Sequence, residues 1–126
     1  MEKQIRVLVA NRPRLMRELI LTTFADQPDI EIVGEVAEEV DIPDSVDRTL
    51  PDFLVISQDT MGRRPSVCDV VLHQHPELKI IAVAPDQNYS VHYWVSFEIH
   101  SRDVEASEEG ILEVLRSKSK AIGSQT

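Results

Sequence analysis

The segment Phe53-Leu54-Val55-Ile56 is the tightest constraint on what this chain can fold into. Four consecutive apolar residues stand between the turn signal Pro51-Asp52 and the polar Ser57-Gln58-Asp59. A run this short is a strand rather than a helix, and a strand apolar on both faces needs cover on both sides. It therefore predicts the middle of a parallel sheet with helices above and below. Ser57 then falls at the carboxyl end of that strand, where open α/β sheets gather ligands and chemistry.

The rest of the chain supplies the neighbours. Ile5 to Ala10 reads as a first strand, followed by Asn11, a good N-cap type, and by Pro13 near the first helical position. Leu15, Met16, Leu19, Ile20 and Phe24 predict a helix over 13–25 with these residues as its apolar stripe. Ile30 to Val36 begins polar at alternate places, as a strand near a sheet edge does. Pro43 opens a short helix over 43–50 in an acidic stretch. Ser66-Val67-Cys68-Asp69 looks like a capping box, with Val67, Val70 and Val71 as the buried face of the helix it starts. Ile80 to Ala84 is a second fully apolar strand.

Residues 91–99 place Val91, Tyr93, Val95, Phe97 and Ile99 at every second position, which is a strand period. Ser107, Glu108 and Glu109 open a last helix buried through Ile111, Leu112 and Leu115, with Lys118 and Lys120 suiting its dipole. This alternation predicts an α/β fold: a doubly wound parallel five-stranded sheet with right-handed crossovers. Between Ala84 and His100 there is little room for loop, helix and strand, so the fourth helix is expected to be short or missing. Residues 1–118 form one domain and 119–126 a flexible tail.

At 126 residues the chain builds a single core. Its net charge of −9 opposes long-range attraction to nucleic acid or to an anionic membrane surface. No apolar run approaches membrane-span length, and Met-Glu-Lys-Gln leads directly into a strand with no signal-peptide pattern. Cys68 is the single cysteine, which rules out an internal disulfide and suits a reducing cytoplasm.

Four stretches together resemble the receiver domain of bacterial response regulators. They are Val7-Leu8-Val9-Ala10-Asn11-Arg12-Pro13-Arg14-Leu15-Met16-Arg17-Glu18, Pro28-Asp29-Ile30-Glu31-Ile32-Val33-Gly34-Glu35, Pro51-Asp52-Phe53-Leu54-Val55-Ile56 and His75-Pro76-Glu77-Leu78-Lys79-Ile80-Ile81. The nearest match is the subfamily usually fused to a helix-turn-helix output domain. The resemblance covers about 4–84 and resumes at the final helix, and it implies a flavodoxin-like fold. It also implies where the family's reactive groups would stand. The acidic pair that holds Mg²⁺ falls on Asn11 and Arg12, and the phosphoryl acceptor on Ser57. The hydroxyl position falls on Ala84 and the lysine position nearest His100, with no lysine between Lys79 and Lys118. Phosphoryl transfer depends on positioning and on neutralising equatorial charge, and Mg²⁺ depends on carboxylate oxygens. A guanidinium at Arg12 and a hydroxyl at Ser57 supply neither, so aspartyl phosphorylation is not expected.

Other candidates weigh less. No Gly-x-Ser-x-Gly elbow surrounds Ser57, so a hydroxyl satisfied by neighbouring backbone is the simpler expectation. His73 and His75 diverge on a helix, and with Cys68 they do not predict a metal site. Tyr89, Tyr93 and Trp94, with Phe97 close by, are the candidate partner surface. Arg12, Arg63 and Arg64 are the candidate anion-binding set, against the simpler expectation that they neutralise nearby carboxylates. The expected protein is a non-enzymatic, cofactor-free, phosphorylation-independent receiver-like adaptor in the cytoplasm. It acts through a signalling-protein partner or as a homodimer, without direct nucleic-acid or membrane contact. The alternative is a sensor holding a small anion or nucleotide in the vacated phosphorylation pocket.

Overall fold

The computed structural model describes residues 3–59, 61–84, 88–96 and 99–116. Four strands run parallel: β1 (Ile5–Val9), β2 (Ile30–Glu35), β3 (Phe53–Ser57) and β4 (Lys79–Ala84). Two more, β5 (Tyr89–Val95) and β6 (Ile99–Glu105), complete one sheet in the order β2-β1-β3-β4-β5-β6. Helices α1 (Arg14–Ala25) and α4 (Glu108–Arg116) pack through Ile20, Phe24, Ile111 and Val114 on one face. Helices α2 (Ile42–Thr49) and α3 (Ser66–Gln74) pack through Val46, Val67 and Val71 on the other. Leu54 and Val55 in β3 are wholly buried from both sides, as the unbroken apolar run requires. β2 is an outer strand, and Gly34 lets it approach β1: a Cβ there would stand 2.9 Å from Leu8 Cδ1.

The predicted five-stranded parallel sheet is corrected to a six-stranded mixed one. β5 pairs antiparallel with β4, from Ala84↔Tyr89 to Ile80↔Tyr93, and β6 pairs antiparallel with β5. Chain length decides this, because a parallel neighbour needs a crossover of about a dozen residues. Only four residues, 85–88, separate Ala84 from Tyr89. A hairpin thus occupies the stretch where a short or missing fourth helix was expected, and among the described residues no helix lies between β4 and β6. The strand period read over 91–99 belongs to β5 as far as Val95; Phe97 and the 117–126 tail lie outside the described residues.

Three helix readings also change. Leu15 and Leu19 face solvent on α1, at 77% and 59% exposure, while Arg17 is buried. Arg17 takes the inward place because its Nε donates to Glu35 Oε2 at 2.7 Å and its Nη1 to the Asn11 carbonyl at 3.2 Å. The carboxylate and the carbonyl offset part of the desolvation cost of this guanidinium. Val70 is half-exposed on α3, and Cys68 and Leu72 join Val67 and Val71 inside. Ser66 makes no capping bond, and Pro65 holds the N-cap position. Ser107 does cap α4, its Oγ accepting from the Gly110 N–H at 3.1 Å. Burial pushes the Cys68 thiol up to about 12, so it is not a reactive cysteine.

Helix α2 ends on Leu50, a left-handed residue with φ of 48°. Its side chain is exposed and contributes little packing, while its carbonyl accepts from Arg6 Nη1 at 2.8 Å. A β-carbon in this conformation costs ~1 kcal/mol, which glycine does not incur. Leu50→Gly is therefore expected to raise the unfolding free energy by up to ~1 kcal/mol, read from the denaturant midpoint at unchanged slope.

Candidate functional site

Asn11, Arg12 and Ser57 meet at the carboxyl edge of the parallel strands, because β1 and β3 are adjacent and the residues after Val9 run on beside Ile56 and Ser57. Asn11 is fully buried, and its Nδ2 donates to the Ile56 carbonyl at 2.8 Å. Its side chain thus ties the end of β1 to β3 instead of capping α1, whose N-cap is Pro13 after a cis Arg12–Pro13 peptide. Ser57 Oγ donates to the Arg12 carbonyl at 2.8 Å and accepts from the Arg12 N–H at 2.9 Å. A hydroxyl engaged by the same backbone residue in both directions is a lock, not a nucleophile.

The three candidate anion-binding arginines each hold a different carboxylate. Arg12 Nη2 reaches Glu39 at 3.3 Å, Arg63 Nε reaches Asp59 at 3.3 Å, and Arg64 Nε reaches Asp69 at 2.8 Å. The Met61 N–H first, and then Arg63, hold the Asp59 carboxyl below its usual range. The hollow left between Arg12, Glu39, Ser57 and Pro65 is about 40 Å³. A hollow of that size holds a few water molecules, not a nucleotide. No group of three His, Cys, Asp or Glu among the described residues is arranged to hold a metal ion. Ala84 ends β4 opposite Tyr89, and His100 lies opposite Trp94 in the backbone pairing of β5 and β6. Ala84 thus stands at the same carboxyl edge as Ser57, one residue past its register partner Val83, whereas His100 lies toward the other end of the strands and is not gathered with them.

The expected aromatic surface is corrected at Tyr93. That side chain is 4% exposed and packs toward α3, and its hydroxyl donates to Gln58 Oε1 at 3.2 Å. Tyr89 packs against the same core, and Trp94 is half-buried against His92 with ring centroids 4.8 Å apart. Strand alternation puts Tyr89 and Tyr93 on one face and Trp94 on the other, so the three do not form one patch.

His92, which the sequence reading passed over, is the unusual residue of the hairpin. It is buried between Phe53, at 6.1 Å, and Trp94, and neither ring nitrogen has a hydrogen-bond partner among the described residues. Ser90 Oγ on the same face is likewise buried without one. Its only advance signal was a polar residue at every second place beside Val91, Tyr93 and Val95.

No protein-family model, curated protein or solved structure matches the chain. Among the described residues no helix is long and apolar enough to cross a membrane.

Two measurements follow from this geometry. Asn11→Ala removes a buried bond and is expected to cost ~2 kcal/mol, whereas Ser57→Ala exposes the solvent-reachable Arg12 backbone to water and costs ~1 kcal/mol. Equilibrium unfolding of the two variants checks that order. His92 gives a pH signature. Burial first, then the charges of Arg102 and Lys79, push its pKa from 6.5 down to about 4. The folded protein keeps this ring neutral while the unfolded chain takes up a proton below about 6.5, so stability is full above that pH. It falls as pH drops toward 4, by up to ~3 kcal/mol. His92→Phe should flatten the slope of unfolding free energy between pH 6.5 and 5.

Proposed function

We propose that the chain is a receiver-like binding domain that works without phosphorylation and holds a protein partner at the carboxyl edge of its sheet. The closed edge carries this reading. Where the receiver resemblance implies a Mg²⁺ and phosphoryl pocket, Asn11 and Ser57 bond to backbone and Arg12 is paired with Glu39. The strand order β2-β1-β3-β4, parallel with helices on both faces, agrees with that resemblance up to β4. Beyond β4 the antiparallel hairpin stands where a receiver would carry its fourth helix, so among the described residues no such helix is there to shift between states. Binding is therefore constitutive.

The same edge supplies the contact surface. Leu15, Val40 and Met61 follow β1, β2 and β3 and are 77%, 82% and 74% exposed. The three loops meet around the Arg12–Glu39 pair. Large apolar side chains grouped at one edge serve as anchors of an interface, with polar residues as its rim. Glu38, Asp41 and Asp44 flank Val40, so the partner presents cations there.

The test uses the full chain with Mg²⁺ and beryllofluoride, and capture of its partner with and without acetyl phosphate. Amide signals near Ser57 should stay in place and capture should not change. Met61→Asp and Leu15→Asp should each abolish capture without moving the melting temperature. A saturating displacement at Ser57 overturns the phosphorylation-independent reading. Undiminished capture by both aspartate variants removes the carboxyl edge as the contact surface, and a second copy of this chain as the captured species makes the domain a homodimer.

A further inference from the structure

A second concavity lies at the opposite, amino edge of the sheet, about 320 Å³ in volume. Ile5 from β1, Phe53 from β3 and Leu115 from the last turn of α4 give it an apolar lining, and Lys3 and Lys79 supply its cations. Its size is that of a small-molecule site, and its lining is mixed: Ile5, Pro51, Phe53 and Leu115 are apolar, while two lysines and the carboxylates Asp52 and Glu77 are charged. The 40 Å³ hollow at the carboxyl edge is far smaller.

The charges are distributed unevenly. Nine arginines and two lysines are described, and eight of the arginines hold a carboxylate. Arg102, Lys3 and Lys79 hold none among the described residues. In a chain of net charge −9, cations left without a carboxylate are conspicuous, and two of these three line one cavity. The third stands close by: Arg102 pairs with His92, which stacks on Phe53. Lys79 is directly beside Phe53 in the β3–β4 register. After burial itself, the charges of Arg102 and Lys79 both reach His92 and oppose its protonation. Asp52 and Glu77 also line the cavity and bring negative charge to it, but neither lies within ion-pair distance of Lys3 or Lys79. Asp52 Oδ2 accepts from the Arg6 N–H at 2.9 Å, and Glu77 lies largely in solvent, 3.9 Å from His75.

We infer that the amino-edge cavity is a binding site for a small organic anion with an apolar, flat body, whose carboxylate is held by Lys79 and Lys3 while its body lies against Phe53 and Leu115. An anion of this kind gains a charge-assisted bond and covers apolar surface in the same act. A cation of the same shape meets Lys79 and is repelled. The site is separate from the proposed partner edge, which lies at the other end of the strands.

The probe is phenylacetate, titrated into the full chain and followed by ¹H–¹⁵N spectra. Benzylamine carries the same body with the opposite charge, and acetate carries the head without the body. Phenylacetate at low-millimolar concentration should displace the Phe53, Lys79 and His92 amide signals saturably, and the other two should not. Lys79→Gln should weaken the binding about tenfold, as expected for loss of one charge-assisted contact, and Lys79→Arg should retain it. Lys3→Gln, at an exposed residue that leaves the fold intact, should weaken it in the same direction. Four results overturn the site: no saturable change with phenylacetate, equal binding of benzylamine, displacements centred on Arg12 and Ser57, or affinity unaltered in both glutamine variants.

Discussion

Burial of β1 and β3 on both faces is the constraint from which the rest of the architecture follows. Leu8, Val9, Leu54 and Val55 are at most 1% exposed, and each such side chain contributes ~1.5–3 kcal/mol when withdrawn from water. Two-sided cover obliges the chain to return over the sheet with α1 and α4 on one face and α2 and α3 on the other. Parallel strands joined by helices also end together, so the carboxyl edge collects strand ends whose backbone groups need partners. The Ala10 N–H donates to Val55, the Gln58 N–H to Val83, and Asn11 and Ser57 close the remainder with their side chains. The edge is thus occupied by the fold's own hydrogen bonds.

Charge follows the same logic. Arg12, Arg63 and Arg64 stand at an edge where helices begin, which would favour an anion if the guanidinium groups were open. Each instead pairs with a carboxylate supplied within a neighbouring loop or helix turn, and exposed pairs of this kind contribute ~0–1 kcal/mol each. Their effect is on specificity rather than stability: they cancel the local field. At the amino edge this cancellation is incomplete, since neither Lys3 nor Lys79 has a carboxylate partner among the described residues.

What the sequence made legible and what it hid divide along physical lines. The runs at 53–56 and 80–84 need no partner to be recognised, because continuous apolarity already implies two-sided burial, and both are central strands. The lock at Ser57 was also foreseeable, since a strand-end hydroxyl with no base beside it has backbone as its nearest acceptor. The inward face of α1 was not. A hydropathy stripe ranks Leu15 and Leu19 above Arg17, and only the position of Glu35 on β2 reverses that order. The alternation at 91–95 identified a strand but not its direction, for period two is the same in parallel and antiparallel pairs. The scant room after Ala84 was legible and implied a short or missing helix, but it did not give the direction of the returning strand. The cation distribution was hidden as well, because which arginines are paired depends on long-range contacts such as Arg116 with Asp29.

The hairpin is the place where the chain departs most from economical packing, and it does so on one face only. Toward α3, Val91 and Tyr93 are buried with the tyrosine hydroxyl satisfied by Gln58. Toward α4, Ser90 and His92 are buried with polar atoms lacking partners among the described residues, each at a cost of ~1–3 kcal/mol. Valine or leucine at those positions would pack against Phe53 and Trp94 without that cost, so burial does not explain their presence. Sequences depart from such rules chiefly where a function uses the departure. This one lies on the same sheet face as Lys79 and beside Arg102, in a row that begins at the Phe53 wall of the amino-edge cavity. Polar groups held at a cost in stability and cations without carboxylates converge there from three strands. At the carboxyl edge the one buried polar atom without a partner among the described residues is Asn11 Oδ1, on a side chain already tied to β3 through its Nδ2; on this face there are three, from two residues, and no comparable bond explains them.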